Sequence, residues 1–313
     1  MRYAIQRFWA TLLTLAAAFV IVFFIVHLVP GDPAALMLSD LGGDKQAVAD
    51  LRRDLGLDRP LHVQFLRYLG RAVQGDLGQS YRSQRPVMAE IAAIYHHTLY
   101  LAFGGVLIAV LIGIPAGFLS AAYRNSWIDR LCMVGALSGI SMPVFWLGIL
   151  LIIFLSFQLR LFPTIGVGEP SSPADVVWHL FLPALSLGLR GAALIARVTR
   201  SSFLEILGQD YIRTGRMKGL SEAAVKGKHA FRNALLPIVT VIGLDLGQLL
   251  GGTTVTEVVF SRPGMGTLLI ESVLARDYPM VQGTMLVYLL VIILVNLAVD
   301  LIYGYVDPRI RYG

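Results

Sequence analysis

Arg190 and Asp245 are charges placed near the middles of two long apolar stretches. An ionisable side chain in such surroundings is costly, so it is kept to pair with another charge or to meet a polar solute. The two are opposite in sign and at similar depth, which leaves both a structural ion pair and a pathway role open. A second concentration of chemistry is the run "DYIRTGRMKGLSEAAVKGKHAFRNALLP", residues 210–237, with six of the chain's 26 Lys and Arg plus a histidine. Covalent chemistry has no comparable candidate. The sequence holds no G-x-x-x-x-G-K-[ST] phosphate cradle, no H-E-x-x-H and no G-x-S-x-G elbow. Cys132 is the single cysteine, so it supplies neither an internal disulfide nor a metal framework. His96 and His97 read as interfacial side chains, since no Cys or carboxylate cluster accompanies them. The expectation is a chain that is not an enzyme and that binds no metal and no cofactor of its own.

The elements that must position these residues are membrane helices. The 313 residues are 56% hydrophobic and only 15% charged, with a mean hydropathy of +0.69, far from the quarter or so charged residues of a soluble domain. A crossing needs roughly 20 apolar residues for about 30 Å of hydrocarbon. Six stretches qualify: 8–28, 98–122, 131–159, 180–198, 235–258 and 284–303. The third contains Pro143, which predicts a tilt or kink. The fourth is interrupted by Pro183, Gly188, Arg190 and Gly191. The first is too long for a signal-peptide core and ends without a small-residue cleavage pattern, so it reads as a retained anchor.

Short-loop Lys and Arg set the orientation. Arg2, Arg7, Arg124, Arg130, the basic connector, Arg309 and Arg311 fall on one side, against only Arg160, Arg262 and Arg276 in the short loops of the other. Both termini and the connector are therefore expected in the cytoplasm. The net charge of +6 reads as a topology signal, and no nucleic-acid partner is expected. The expected organisation is a first anchor over 1–29, an outer helical segment over 30–97, and a core over 98–313 whose cytoplasmic loop spans about 199–234. In the outer segment, Val48, Leu51 and Leu55 share one helical face that Gly56 would end, and Val63, Leu66, Leu69 and Val73 share another that starts after Pro60. These helices could be a lid on the spans or a docking surface for an extracytoplasmic partner.

Within the connector, Phe203, Leu207, Ile212 and Met217 fall roughly on one helical face. Gly219 suits a left-handed C-cap, Ser221 suits an N-cap, and a second helix can begin at Glu222. Pro237 falls where the next span should start. Helix, sharp break and helix make a shape that a simple reversal would not need. It fits a groove on another protein, or alternatively an anionic lipid surface.

These residues also carry a resemblance. "ARVTRSSFLEILGQDYIRTGRMKGLSE" and "HAFRNALLP" resemble the cytoplasmic coupling loop of ABC-importer permeases of the dipeptide, oligopeptide and nickel family. "HLVPGDPA", "LGLDRPLHVQFLRYL", "GDLGQSY", "SMPVFWLGILL", "EVVFSRPGMGTLLIESVLARDYPMVQG" and "DPRIR" extend the similarity along most of the chain. The long outer segment is similar to that of the dipeptide permease B-type subunit. One departure is local: the general signature has Glu-Ala-Ala ahead of the glycine that Gly219 matches, whereas this chain has Arg213-Thr214-Gly215.

The resemblance implies an all-α integral membrane protein of the type I importer permease architecture, with six spans, in the inner membrane. It implies a second permease subunit, two ATPase subunits that bind ATP and Mg, and an extracytoplasmic binding protein that delivers peptides or related small polar solutes. Asp210, Tyr211, Arg213, Thr214, Arg216, Lys218, Gly219, Leu220, Ser221 and Glu222 would be the ATPase-coupling residues. Arg190 and Asp245, as intramembrane charges, and Gln248, Gly251 and Gly252, because the fifth span lines the pathway in this family, are candidate pathway residues. Gly247, Gly251 and Gly252 could equally serve close helix packing. An ion-gradient-driven transporter working through Asp245 and Arg190 is the alternative, and it leaves the connector without a purpose.

Overall fold

The computed structural model describes residues 2–28, 34–35, 38 and 45–306. Most of "HLVPGDPA" and all of "DPRIR" therefore lie outside the described residues. Among those residues the regular elements are helices: α1 (Arg2–Leu28), α2 (Lys45–Asp54), α3 (Leu61–Ala72), α4 (Val87–Ala122), α5 (Trp127–Ser141), α6 (Val144–Leu151, continued as a π-helix over Ile152–Gln158) and α7 (Pro173–Leu207). They continue with α8 (Asp210–Met217), α9 (Glu222–Ala224, running into a π-helix over Val225–Ala230), α10 (Phe231–Gly252), α11 (Thr254–Val259), α12 (Met265–Leu274) and α13 (Tyr278–Val306). Four stretches are long and apolar enough to cross a membrane: Val87–Ala122, Pro173–Leu207, Asn233–Gly252 and Tyr278–Ala298. The pair α5–α6 makes a fifth if it counts as one span, and α1 carries a shorter apolar stretch over Trp9–Phe24.

The two longest helices, α4 and α7, form the centre. At 1.5 Å per residue each runs about 50 Å, more than the hydrocarbon thickness, so both carry side chains beyond it. Their contact is set by small residues every fourth position on α4: Gly105, Ala109, Gly113 and Gly117. A Cβ at Gly113 would lie 2.7 Å from the Ala192 carbonyl oxygen and 2.8 Å from Ile195 Cβ. On the facing helix, a Cβ at Gly188 would lie 2.7 Å from Ile108 Cβ. The backbones approach because both sides lack side chains there, which is how apolar helices gain packing where lipid offers no hydrophobic drive. Ser172 caps the start of α7, its Oγ accepting from the Asp175 amide, and Pro173 follows at the first helical position, where no donor is needed.

Two expectations are corrected, and the kink expected at Pro143 is found as a sharp break. In the stretch 131–159, α5 and α6 meet at 107°. Met142 is extended (φ −83°, ψ 131°), as a residue preceding proline is driven to be, and Pro143 (φ −60°, ψ 134°) opens the new helix without a donor. Pro237 does not begin a helix but sits inside α10. Ala230, Ala234 and Ile238 are buried along one face there, and their burial holds the helix through the proline. In α3 the face turned to the protein is that of Phe65 and Tyr68, which stack against Phe23 and Phe19 with ring centroids 5.2 and 5.3 Å apart. Leu66 and Val73, grouped with Val63 and Leu69 on one helical face, are 62% and 80% exposed. Large aromatic area against α1 outweighs the aliphatic stripe.

Candidate functional site

The connector between α7 and α10 is anchored by buried side chains on both sides of its bend. Ile212 of α8 is buried with Phe203, Val225, Ala230 and Ala234, and Phe203 meets Phe118 edge-on at 5.0 Å. Met217 does not share that face as expected; it is 76% exposed, because the helical path breaks at Gly208–Gln209 and restarts at Asp210. The anchored side also holds Tyr211, whose hydroxyl accepts from Asn233 Nδ2 at 2.8 Å.

The bend is as the residue types predict. Gly219 has φ +82°, its amide donates to the Arg216 carbonyl at 2.9 Å, and the Leu220 amide donates to the Gly215 carbonyl at 3.3 Å. This is the paired closure that ends a helix through a left-handed glycine. Ser221 Oγ accepts from the Ala224 amide at 3.3 Å and starts α9. Arg216 reaches over the bend, its Nε 2.7 Å from Glu222 Oε1. Thr214 Oγ1 donates back to the Asp210 carbonyl at 3.0 Å. Asp210, Tyr211, Arg213, Thr214, Arg216, Lys218, Gly219, Leu220, Ser221 and Glu222 are all exposed. The result is a rigid elbow with a buried foot and an outer surface mixing cations with Tyr211, Met217 and Leu220.

The candidate pathway residues are not brought together. Arg190 is exposed, whereas Asp245 is buried and its Oδ2 has no hydrogen-bond partner. The two side chains make no direct salt bridge, although the Arg190 charge still acts on the buried Asp245 carboxylate. The neighbour turned toward Asp245 is Gly191, where a Cβ would lie 2.5 Å from Oδ2; one step of helical rotation swings Arg190 away. Gln248 and Gly252 are exposed on α10. Gly247 and Gly251 face α13 instead, where a Cβ would meet Asn296 Oδ1 at 3.0 Å and Ile292 Cδ1 at 2.6 Å respectively. The glycine cluster thus divides into two packing positions and one open one.

Three polar clusters were not singled out from the sequence. Glu257 is 1% exposed and its carboxylate accepts from Thr98 Oγ1 (2.8 Å), Thr253 Oγ1 (2.9 Å) and the Gly266 and Thr267 amides (2.9 and 3.2 Å). It neutralises the donor-rich start of α12, and Gly264 leaves the room, since a Cβ there would overlap the carboxylate. Arg262, equally buried, donates Nη1 to the Gly166 and His179 carbonyls at 2.9 and 3.3 Å, and burial lowers its guanidinium to about 10. The signal was an acid a few residues before Gly-x-Gly at a helix start.

At the same end, Asp277 Oδ2 accepts from Ser80 Oγ at 2.5 Å and from the Arg82 amide at 3.2 Å, tying the outer segment to α13. Burial, with the Asp277 carboxylate beside it, pushes the Tyr81 phenol up to about 12. At the connector end, Arg200 of α7 grips Asp129 of α5 in a bidentate pair, Nε to Oδ1 at 2.8 Å and Nη2 to Oδ2 at 2.9 Å. Ser120 Oγ and the Asn125 amide complete that carboxylate. Ser126-x-x-Asp129 reads locally as a helix cap, and nothing local reveals a partner 71 residues away.

Residues 113–312 match the family described as "Binding-protein-dependent transport system inner membrane component", and residues 1–102 match the N-terminal family of the same system. The glutathione transport system permease protein GsiC of Escherichia coli (strain K12) is 47% identical over 312 residues, covering 100% of this chain and 99% of its own. The protein of the same description from Salmonella paratyphi A is also 47% identical over the same coverage. Among solved structures, an inward-facing MetNI methionine ABC transporter matches with a TM-score of 0.58 and 22% identity, over 70% of this chain and 97% of that one. A chain of an amino acid ABC transporter matches with a TM-score of 0.55 and 16% identity, over 69% and 94%. At those identities the structures speak for the fold alone.

Proposed function

This chain belongs to the family of binding-protein-dependent transport system inner membrane components, and from that premise we propose that it passes peptides or related small polar solutes across the inner membrane. It is a permease subunit of an ABC importer. In this reading it has six spans with both termini in the cytoplasm, pairs with a second permease, and receives its solute from an extracytoplasmic binding protein. ATP and Mg are held by two separate ATPase subunits. The GsiC relatives are glutathione permeases, which favours a short peptide as cargo.

The observation that carries the energy-coupling part is the elbow at Gly219. A buried foot at Ile212, a glycine-closed bend and the Arg216–Glu222 bridge make α8 and α9 one stiff lever. A lever fixed to α7 and α10 converts a push on its exposed face into movement of two long helices. Asp210, Tyr211, Arg213, Thr214, Arg216, Lys218, Leu220, Ser221 and Glu222 form that face toward the ATPase. Exposed Tyr211, Met217 and Leu220 supply apolar contact, and the cations supply register. Arg190 and Gln248 are the exposed polar candidates along the pathway, with Asp245 held behind Gly191 and Gly252 leaving open space.

The test is Gly219→Val. A β-branched residue at φ +82° costs about 1–2 kcal/mol locally, and no neighbouring atom stands in its way. Membrane insertion and permease pairing are expected to persist, while ATPase subunits fail to co-purify and ATP-dependent uptake of glutathione or a dipeptide is lost. Uptake at the wild-type rate would remove the elbow from the coupling route.

A further inference from the structure

Residues 98–122, 180–198, 233–252 and 278–298 of the four membrane-length helices contain three charged side chains: Arg190, Arg197 and Asp245. Asp245 is 7% exposed, behind Gly191. Both arginines are exposed, and neither has a hydrogen-bond or ion-pair partner among the described residues. They are one heptad apart, within about 20° of two full helical turns. They therefore stand on one face of α7, about 10 Å from each other along its axis. Half-buried Leu194 lies between them, and exposed Ser201 continues the face toward the connector. Arg200 is turned elsewhere, into its pair with Asp129.

A guanidinium held against hydrocarbon at mid-span is costly, so such a group faces water or protein instead. The face of α7 at Arg190 is therefore not a lipid face. No carboxylate of these four stretches shares it, because the one acid among them, Asp245, is turned into the seam with Gly191. A fixed contact with a neighbouring subunit would need a carboxylate buried opposite each arginine, each with its own desolvation cost. A solute moving through water brings a carboxylate only while it passes. Two unpaired cations at successive depths on one helix suit that second case. Gln248, exposed on α10 one turn from Asp245, adds amide donors at a neighbouring level.

We propose that the Arg190–Arg197 face of α7 is a cationic track along the pathway, on which the carboxylate of an anionic or zwitterionic solute passes from mid-membrane toward the connector end. A guanidinium fork holds both oxygens of a carboxylate at once. The spacing of about 10 Å lets a short peptide leave one fork as it reaches the next. Asp245, behind the surface, offsets part of the Arg190 charge, so the carboxylate is held weakly enough to leave. The track rests on the import reading and deepens it by naming the group of the solute that is recognised.

The experiment uses the full complex with its ATPases in proteoliposomes, in a Cys132→Ser background. Arg190→Cys and Arg197→Cys are each treated with an anionic and a cationic water-soluble methanethiosulfonate of similar size. Both variants are expected to react. In Arg197→Cys the anionic reagent should be favoured, and adding Arg190→Gln should lower the anionic-to-cationic rate ratio by about threefold or more. No reaction at either position, or a ratio that Arg190→Gln leaves unchanged, overturns the track. Reaction in the isolated chain but not in the complex also overturns it, and assigns the face to a fixed subunit contact. Should Arg197→Cys fail to assemble, Ser201→Cys with and without Arg197→Gln is judged by the same ratio. With the binding protein present, Arg190→Gln and Arg197→Gln are each expected to lower ATP-dependent uptake of glutathione or dialanine by about tenfold or more, and Arg190→Lys by less. Uptake at the wild-type rate in both Gln variants overturns the track. If the wild-type complex imports neither probe while the reagent selectivity holds, the anion-selective face stands and the import reading falls.

Discussion

At the scale of single residues, the charges that organise this chain are those with complete shells of partners. Asp129 collects a bidentate Arg200, the Ser120 hydroxyl and the Asn125 amide, and so welds the α4–α5 turn to the part of α7 that leads into the connector. Breaking such a pair from one side leaves a buried charge without its counter-ion, at a cost of about 3–5 kcal/mol. Arg200→Leu is therefore expected to lower the unfolding temperature and yield of the purified protein sharply. Asp129→Leu/Arg200→Leu should recover a large part of both. Additive losses in a thermal-melt comparison of the four proteins would show that the two side chains act separately. Glu257 follows the same logic with backbone donors, since replacing an acceptor-only carboxylate by an amide turns an NH2 toward donors. Glu257→Gln is expected to cost about 1–3 kcal/mol, read as a lower melting temperature with α12 the first helix to lose amide-exchange protection.

At the scale of elements, the seam between α4 and α7 explains why the fourth predicted span could be so poor in apolar bulk. Pro183, Gly188 and Gly191, which weaken its hydropathy, are all buried. Gly188 lets α4 come close, and Gly191 leaves room for Asp245. Gly117→Val tests the seam, because a Cβ there would overlap the Ala196 carbonyl oxygen and lie 2.6 Å from Thr199 Cβ. Overpacking of this kind costs typically about 1–3 kcal/mol. The variant is expected to insert and yet melt lower, with a weaker crosslink between cysteines placed on the two helices. A melting temperature equal to wild type would show that the helices separate freely.

For the whole molecule, the two ends differ in kind. One end carries the anchored elbow and the Arg200–Asp129 pair. The other carries α2, α3 and the Glu257 and Asp277 clusters. From the Lys and Arg asymmetry we expect the first end to lie in the cytoplasm. In a Cys132→Ser background, single cysteines at Ser83 and Ser172 are expected to react with an impermeant thiol reagent in spheroplasts, and one at Ser221 only after permeabilisation. Labelling of Ser221 alone in sealed cells would invert the arrangement.

Much of this was legible in the chain. Membrane class follows from composition, because lipid demands apolar length and water does not. The elbow was readable residue by residue, since Gly219 and Ser221 act through their own backbone within a few positions. Where the sequence reading failed, the deciding partner was distant. The Arg190–Asp245 pairing rested on depth alone, and depth carries no rotational information; the turn of α7 presents Gly191 to Asp245 instead. The face of α3 was chosen by aromatic rings on α1, and only the size of the bend expected at Pro143, 107°, waited on what α5 and α6 each pack against. Asp277 and Asp129 look like ordinary loop acids in one dimension, and Glu257 like an acid at the end of a span. Only the tertiary structure brings Thr98, Ser80 and Arg200 to them, because a carboxylate's role is fixed by donors that the chain supplies from elsewhere.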